Sequence, residues 1–568
     1  MIRVSFACAL VACSSPPKTS TITADDAPVR FSDTITQVTG HLDRLDPASA
    51  VSLGLHDFDG MLPDVSPAAL DQMRAQLEKD RTTLLAAEVT TPREHTERDV
   101  LLSEVRKVLF DLVDRDVFRT NPMTYSGAIN LDAYITRDYA PATQRAAGVI
   151  KLCRALPAYL AQARSNVRTP IPRPWIDTAL LQTKGYLEFA DKDVRQQFAI
   201  VGVPLANQAD IDPALDTCKQ ALAEHAKWLE QQQPQGTTGF ALGTERFMKM
   251  LAESQGVETD LVRLTAIAEQ DLARNLKAIE EAARAIDPKR SIREVILEAA
   301  NDKPAATEIL ATATEQAEAM RRFLIDKKIV TIPSTDVAEV RESPAFRRWN
   351  AASLDTPGPF EQRPLPSLYY ISPPDPKWPE AEQRAYIIPR ADLMFTTIHE
   401  VWPGHFLQHL HINKNGSRVL KSYCTYSNSE GWAHYTEEMM FDAGAGGGTP
   451  QARIGMLKEA LLRNVRFVVA IGEHTGGMTV EQAAKVFEDK GFVDPGNARQ
   501  QAVRGTFDPM FVSYTLGKLM IRKLRADWQR QHPAASLQDF HDAFLANGCG
   551  PVPMIRSLLL GADAGAPI

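Results

Sequence analysis

Apolar residues recur at helical spacing along most of this chain of 568 residues. In one long segment Leu261, Leu264, Leu272 and Ile279 fall on the same face of a helix, and charged residues fill the positions between them. Such stripes are typical of helices that bury one face in a core. The same pattern predicts further helices at about 65–115, 140–165, 175–200, 212–232, 450–475 and 512–530.

The residues that flank these stripes carry helix-start signals. Ser291 and Glu294 have the spacing of a capping box, in which each side chain satisfies a free backbone N–H of the other residue. Thr479 begins another helix in the same way. The fold is therefore predicted to be mainly α.

The region between Thr331 and Glu380 departs from the helical pattern. Prolines are dense there, and the short pieces KKIVTIP, DVAEVRES and PSLYYIS, with AYIIP just after, have strand character. They predict a small β-sheet directly before His399. Tyr369 and Tyr370 in PSLYYIS either help to bind an extended substrate at a sheet edge or pack against a helix.

The chain is predicted to divide at QQQPQGTTGF, residues 231–240, which has the composition of a hinge. An N-terminal helical half, 31–235, would precede a C-terminal catalytic half, 236–568.

Residues 1–12 have the positive charge and short apolar run of a signal peptide. Residues 13–30 are rich in Ser, Thr and Pro, which predicts a flexible tether.

The residues before Cys13 add a membrane anchor to this prediction. Leu-Val-Ala-Cys resembles the lipobox of bacterial lipoproteins, in which the cysteine is diacylated and becomes the first mature residue. This resemblance implies a location in the cell envelope, on the periplasmic side or the outer surface. Plain secretion without a lipid is the alternative. No later apolar run approaches the roughly 20 residues that span a bilayer, so the anchor is the only membrane contact expected.

The composition is that of a globular protein and argues against one class of partner. Hydrophobic residues make up 44% and charged residues 24%, as in globular proteins. The net charge of −8 argues against a nucleic-acid partner.

Four cysteines follow Cys13, at 153, 218, 424 and 549, without a CxxC pair. In an exported protein two of them can form a disulfide, although spacing does not say which, and buried free thiols are the alternative.

The candidate chemistry centres on HEVWPGH, His399 to His405. Zinc proteases with the HExxH pattern place two histidines four positions apart on one helix face. Here the spacing is six, which on an ideal helix turns the second side chain by about 240°. Pro403 and Gly404 can relieve this, because a local bulge would return His405 to the face of His399. Glu400 would then be the general base.

A rival pair is His405 and His409, which are four apart and need no kink, with His411 nearby. This pair has no adjacent glutamate. The third ligand is expected on a later helix, where SNSEGWAHYTEEMM offers Glu430, 25 positions after His405. His434 and Glu437 share its face, and either can support the metal ligands from behind. The alternative for this helix is a solvated acidic face.

At this point the chain resembles a known family. HEVWPGHFLQ and EGWAHYTEEM are similar to the HExxPGHxxQ and EGWAxYxE signatures of the bacterial "domain of unknown function 885" proteins. SYTLGKLMI, FHDAFLANGCGPVP and, more weakly, NPMTY resemble further elements of that family. The resemblance implies a helical zincin-like metallopeptidase architecture, with one Zn²⁺ held by His399, His405 and Glu430 and with Glu400 as base.

The segment RGTFDPMFVSY departs from that family. Gly505 stands where many members have a tyrosine, and Met510 stands where a glutamine is expected. If that glutamine contacts substrate in the family, this chain is expected to differ in specificity. A tetrahedral oxyanion needs a donor besides the metal. Tyr514 is the first candidate, and His474 and Arg504 are the next. Ordinary packing is the alternative for each.

These observations favour an exported zinc metallopeptidase that cleaves short peptides, since a helical cleft that closes over its site excludes folded proteins. A binding lipoprotein with the remnants of a hydrolase site is one alternative. The intact Glu400 argues against it, because a binding protein needs no base. A zinc hydrolase of non-peptide amides or esters is the other alternative.

Overall fold

The computed structural model describes residues 30–200, 205–344, 347–348, 351–561 and 564–568. The predicted signal peptide, nearly all of the predicted tether and the candidate lipidation residue Cys13 lie outside these ranges. In the part of the chain that the structure describes, no helix is long and apolar enough to cross a membrane.

The fold is mainly helical, as predicted. Before the predicted hinge the described helices are α1 (Phe31–Leu45), α2 (Pro47–Ser52), α3 (Pro67–Ala86), α4 (Pro92–Leu109), α5 (Val117–Thr120), α6 (Met123–Gly127), α7 (Ala133–Thr136), α8 (Ala142–Asn166), α9 (Arg173–Phe189), α10 (Arg195–Ile200) and α11 (Leu205–Gln232). After it they are α12 (Thr244–Gln255), α13 (Leu261–Ile286), α14 (Ile292–Ala299), α15 (Ile309–Lys327), α16 (Glu380–Tyr386), α17 (Arg390–Glu400), α18 (His405–Lys414), α19 (Arg418–Ser422), α20 (Tyr426–Asp442), α21 (Pro450–Thr475), α22 (Val480–Lys490), α23 (Pro495–Gly505), α24 (Ser513–Gln531), α25 (Leu537–Leu545) and α26 (Val552–Leu560).

Local signals placed two helix starts correctly. Ser291 and Thr479 both form the predicted capping boxes, at the starts of α14 and α22. The predicted stretch 65–115 is two helices, because Thr91 caps a new helix that has Pro92 at its first position.

A three-stranded sheet lies before α17. Its strands are β1 (Ala338–Glu342), β2 (Ala352–Asp355) and β3 (Ser367–Ile371), in the order β1-β3-β2. Strand β3 is parallel to β1 and antiparallel to β2. DVAEVRES and PSLYYIS therefore supply strands as predicted, and β2 was not predicted.

The other two predicted strand pieces are wrong. KKIVTIP begins at the end of α15, where Lys328 adopts a left-handed φ of 49°. AYIIP begins inside α16, which ends at Tyr386. Both pieces are rich in β-branched residues, but each lies at a helix end, and the chain leaves the helix without pairing.

The sheet also decides between the two roles considered for its tyrosines. Strand β3 is the central strand and is paired on both sides, so it has no free edge to which a substrate strand could add. Tyr369 is completely buried, and its hydroxyl lies 3.1 Å from Thr397 Oγ1 of α17. Packing against the helix is therefore what the structure shows for Tyr369.

In the part of the chain that the structure describes, the buried apolar residues form three clusters. One lies within the N-terminal helices, and the largest is built almost entirely from residues after Phe240. A third joins α1, α3 and α4 to Val419 and Leu420 of α19. The division at 231–240 into an N-terminal and a catalytic half stays a prediction.

All four cysteines after Cys13 are paired. Cys153 is bonded to Cys218, within the N-terminal helices, and Cys424 is bonded to Cys549. The second disulfide joins the residue two positions before α20 to the segment between α25 and α26. Thr425 N also donates to Cys549 O at 2.9 Å, so the start of α20 is fixed to the C-terminal region.

Candidate metal centre

The HEVWPGH segment is a helix break and not a bulge within one helix. Helix α17 ends at Glu400 and α18 begins at His405. Between them the Trp402–Pro403 peptide bond is cis, and Gly404 N donates to Ile398 O at 3.0 Å. A Cβ on Gly404 would lie 1.8 Å from the carbonyl oxygen of His399, so this tight return admits only glycine.

The break nevertheless brings the two predicted histidines together. The ring centroids of His399 and His405 are 4.8 Å apart, and the ring planes are nearly perpendicular. His405 occupies the first position of α18, so its side chain faces back toward the end of α17. The predicted bulge within one helix was wrong, because the proline and glycine lie between the end of one helix and the start of a second.

Glu430 of α20 completes the group. Its Oε2 lies 3.4 Å from His399 Nε2 and 3.4 Å from His405 Nε2. The three ligand atoms all lie within 4.8 Å of one another. Among the residues that the structure describes, no other three His, Cys, Asp or Glu side chains converge in this way.

The three side chains fit a bound zinc ion. Glu430 Oε2 is buried and has no hydrogen-bond partner within the described residues, which is an unfavourable state for a carboxylate oxygen. A cation shared with the two imidazoles would satisfy it. Two histidine nitrogens and one glutamate oxygen are a common ligand set of catalytic zinc, with the fourth position left for water.

Glu437 orients the first ligand. Its Oε1 accepts a hydrogen bond of 2.7 Å from Nδ1 of His399, which leaves Nε2 as the free lone pair directed at the candidate metal position. Arg463 Nη2 lies 3.3 Å from the same carboxylate oxygen. His434 Nδ1 lies 3.4 Å from Glu437 Oε2, so His434 reaches the centre only through Glu437.

The electrostatics of the centre favour a cation. Burial opposes ionisation of Glu430, but the adjacent His405 and His399 hold the pKa of its carboxyl well below the usual range. Burial and Arg463 lower the pKa of His399, whereas Glu430 and Glu437 raise it, with a net increase to about 9. Two carboxylates around one imidazole thus attract positive charge, either a proton or a metal ion.

Glu400, the candidate base, directly follows the first candidate ligand. It is the last residue of α17, next to His399, and is partly exposed. No described residue forms a hydrogen bond or an ion pair with its carboxylate. The group is therefore free to accept a proton.

Tyr514 lies beside the centre. Burial and the negative charge of Glu430 raise the pKa of its phenol, so the hydroxyl keeps its proton and can donate it. Tyr426 donates to the Tyr514 hydroxyl at 3.3 Å, and Arg504 donates to the Tyr426 hydroxyl at 3.2 Å. Arg504 therefore reaches Tyr514 through Tyr426, and Asp508 holds its guanidinium at 2.9 Å.

Two histidines considered from the sequence lie apart from the centre. His474 Nε2 is 2.9 Å from Gly505 O, and its ring stacks on Phe247. His409 Nε2 is 2.8 Å from Asn413 Nδ2, so the rival pair with His405 does not converge. Burial lowers the pKa of each imidazole to about 4.

Close helix packing sets the distance between Glu430 and Tyr514. A Cβ on Gly517 of α24 would lie 1.9 Å from Ser427 O of α20, and one on Gly431 would lie 2.5 Å from Gly517 Cα. The two glycines therefore let α20 and α24 touch along their backbones.

Three residues of this region were not found from the sequence: Tyr426, Arg463 and Arg466. The arginines are three positions apart in LLRNVRFVVA, an otherwise apolar part of α21. Both are more than nine-tenths buried. Two charges inside an apolar stripe are the signal that could have indicated them, since buried arginines need partners.

Comparison with known proteins gives a family and a fold. Residues 47–559 match the family model described as "Bacterial protein of unknown function (DUF885)". The chain has no match among curated protein sequences.

Solved structures share the fold over almost the whole chain. A candidate lipoprotein of unknown function from Shewanella oneidensis is 25% identical, with a TM-score of 0.80 over 94% of this chain and 100% of that one. A candidate lipoprotein from Colwellia psychrerythraea is 17% identical, with a TM-score of 0.80 over 92% and 97%. An M32 carboxypeptidase from Deinococcus radiodurans R1, at 11% identity and a TM-score of 0.40, is too distant to carry an argument.

Proposed function

The chain belongs to the DUF885 family of bacterial proteins of unknown function, and we propose that it is a zinc-dependent hydrolase that cleaves short peptides. The observation that carries this proposal is the convergence of His399 Nε2, His405 Nε2 and the buried Glu430 Oε2, which has no hydrogen-bond partner within the described residues. The adjacent Glu400, which has no described hydrogen-bond or ion-pair partner, supports a hydrolase over a binding protein.

In this proposal, three residues bind the metal and two neighbouring residues act on the substrate and its water. Zinc bound by His399, His405 and Glu430 would lower the pKa of a water molecule and polarise the substrate carbonyl. Glu400 accepts the proton of the attacking water and returns it to the leaving amine. The Tyr514 hydroxyl donates a hydrogen bond to the oxyanion that forms at the carbonyl.

Metal analysis tests the ligand set. We expect about one zinc per chain in protein purified without a chelator or a histidine tag, and almost none in His405→Ala. His409→Ala is the matched control, since it removes the next histidine of α18, which contacts Asn413 and not the centre. Zinc that survives His405→Ala but not His409→Ala would overturn the ligand set.

Turnover tests the reaction. Glu400→Gln should keep its zinc and lose peptide hydrolysis by about 10²- to 10⁴-fold, the usual contribution of a general base. A library of short peptides, analysed by mass spectrometry, is the direct assay. If the zinc-loaded wild type hydrolyses esters but no peptide, and peptides do not compete, the enzyme is a hydrolase of another substrate class.

We also propose that Cys13 carries a lipid that holds the protein in the cell envelope. The lipobox-like sequence and the two structurally similar candidate lipoproteins support this. In a bacterial host the full-length chain should incorporate labelled palmitate and sediment with membranes, and Cys13→Ser should do neither. Equal labelling of the two chains would exclude Cys13 as the acceptor.

A further inference from the structure

Arg466 of α21 is a buried arginine with no acidic partner among the described residues. The residue is only 8% exposed, and its one hydrogen bond to a described residue runs from Nε to Gln501 Oε1 at 2.9 Å. No carboxylate oxygen of the described residues lies within 4.0 Å of its guanidinium. Nη1 and Nη2 have no described hydrogen-bond partner either, yet neither is sealed from solvent.

The two neighbouring arginines differ in this respect. Arg463 lies between Glu437 and Glu459, at 3.3 and 2.9 Å. Arg504 is bound to Asp508 through two nitrogens, at 2.9 and 3.1 Å. Within the described part of the chain, Arg466 is thus the member of this cationic group whose charge is not balanced by a carboxylate.

Arg466 also lies close to the proposed reaction centre. Its Cζ is 5.0 Å from the centroid of the Tyr514 ring, and Arg463 Cζ is 5.8 Å from the same centroid. Arg463 precedes it by about one helical turn and contacts the carboxylate that orients His399. The guanidinium of Arg466 therefore lies against the side chain that would stabilise the oxyanion.

A cation in this state favours the binding of an anion. Burying a guanidinium without a counter-charge is unfavourable, and a ligand that brings the charge recovers the loss. Burial and the positive charges of Arg504 and Arg463 lower the pKa of Arg466, although an arginine keeps its proton in any protein. The two free nitrogens Nη1 and Nη2 match the two oxygens of a carboxylate.

We infer that Arg466 binds a carboxylate group of the substrate and so selects acidic peptides or peptide ends at the proposed centre. The inference rests on the proposed function, because Arg466 is placed beside the centre by its contact with Tyr514, the proposed oxyanion donor. A carboxylate has two sources in a peptide, which are the C-terminus and the side chain of an aspartate or glutamate. The geometry is the same for both, so the experiment has to separate them.

Binding without turnover tests the inference. In a zinc-loaded Glu400→Gln background we would measure, by calorimetry, the Kd of N-acetyl-trialanine as the free acid and as the amide. The tripeptide amides that end in glutamate and in glutamine form the second pair. We expect the carboxylate member of one pair to bind more tightly, and Arg466→Gln to weaken it about 10- to 100-fold. The neutral member should be unchanged.

Two further variants sharpen the result. Arg466→Lys keeps the charge without the planar fork and should restore only part of the preference. Arg499→Gln removes an exposed arginine of α23 and should change nothing. Because the readout is a ratio between two ligands of the same protein preparation, partial unfolding of a variant cancels.

The outcomes separate the inference from the proposed function. A preference for the free acid identifies the C-terminus, and a preference for glutamate over glutamine identifies a side chain. Equal Kd values within both pairs, a preference that survives Arg466→Gln, or no binding at all would overturn the inference. If the wild type still hydrolyses peptide amides in that case, the proposed function is retained. A wild type that binds zinc but hydrolyses no peptide would overturn the proposed function.

Discussion

At the scale of single residues, Glu437 determines which nitrogen of His399 faces the candidate metal. Its Oε1 accepts a hydrogen bond from Nδ1 at a heavy-atom distance of 2.7 Å, and the residue is buried. Glu437→Gln would weaken this acceptor and remove its charge, so we expect a 10- to 100-fold loss of zinc affinity with the fold intact. Competition with a chelator measures it.

The control for this prediction is Glu459→Gln. Glu459 is the other carboxylate that pairs with Arg463, at 2.9 Å, but no contact joins it to His399. A similar loss of affinity in both variants would mean that Arg463, and not the orientation of His399, carries the effect.

The candidate ligands could be predicted from sequence, because HEVWPGH and EGWA are local and specific patterns. The supporting side chains could be predicted only in part. Glu437 shares a helix face with Glu430, whereas Arg466 and Tyr426 approach Tyr514 through tertiary packing that no spacing encodes. His474 was considered as an oxyanion donor for the same reason, because its position in the sequence does not show that it packs against Phe247 and Gly505.

At the scale of elements, the contact between α20 and α24 sets the position of Glu430 relative to Tyr514. Gly517→Ala would place a Cβ 1.9 Å from Ser427 O and force the helices apart. We expect a loss of about 1–3 kcal/mol in the free energy of unfolding, from overpacking, together with weaker zinc binding. Chemical denaturation and metal titration measure the two effects.

Gly185→Ala is the matched control. Gly185 lies within α9, and no atom lies within 4 Å of its hypothetical Cβ. The substitution should be neutral or should stabilise the protein by about 0.5–1 kcal/mol, as alanine does in a helix. If Gly517→Ala were equally harmless, the close contact would not be needed.

Helices were more predictable than strands at this scale. The stripes of α8, α21 and α24 carry enough periodic positions to fix the helix within a few residues. The pieces KKIVTIP and AYIIP show the limit, because β-branched residues also occur where a helix ends, and strand pairing depends on a distant partner.

At the scale of the whole molecule, the disulfide between Cys424 and Cys549 links the start of α20 to the C-terminal region over 125 residues. Replacing both cysteines with alanine should lower the free energy of unfolding by about 2–5 kcal/mol. Zinc affinity should fall as well, because Glu430 follows within two turns. The pair Cys153 and Cys218 is the control, for which we expect a loss of stability without a loss of zinc affinity.

A pH-dependent contact joins the N-terminal helices to the segment before β3. His56 lies 3.1 Å from Asp59 and 3.0 Å from Glu361. Burial lowers the pKa of His56, but the two carboxylates raise it to about 9 from the usual 6.5. The folded state therefore holds the proton more tightly, and this contribution is complete below about pH 6.5 and is lost as the pH rises to about 9.

Thermal unfolding between pH 5 and 9.5 tests this contact. The Tm of the wild type should fall more than that of His56→Gln as the pH rises from 6.5 to 9, and the two proteins should be most similar above pH 9. Parallel curves over the whole range would contradict a protonated His56.

The break between α17 and α18 has a consequence for how the family can vary. The return at Gly404 is closed by backbone contacts to Ile398 and His399, so the six-residue interval cannot gain or lose a residue without moving one histidine. By contrast, Asn415 is partly exposed and Gly416 is exposed in the connection between α18 and α19, where an insertion costs little. Natural length variation should therefore accumulate between His405 and Glu430, and never between the two histidines.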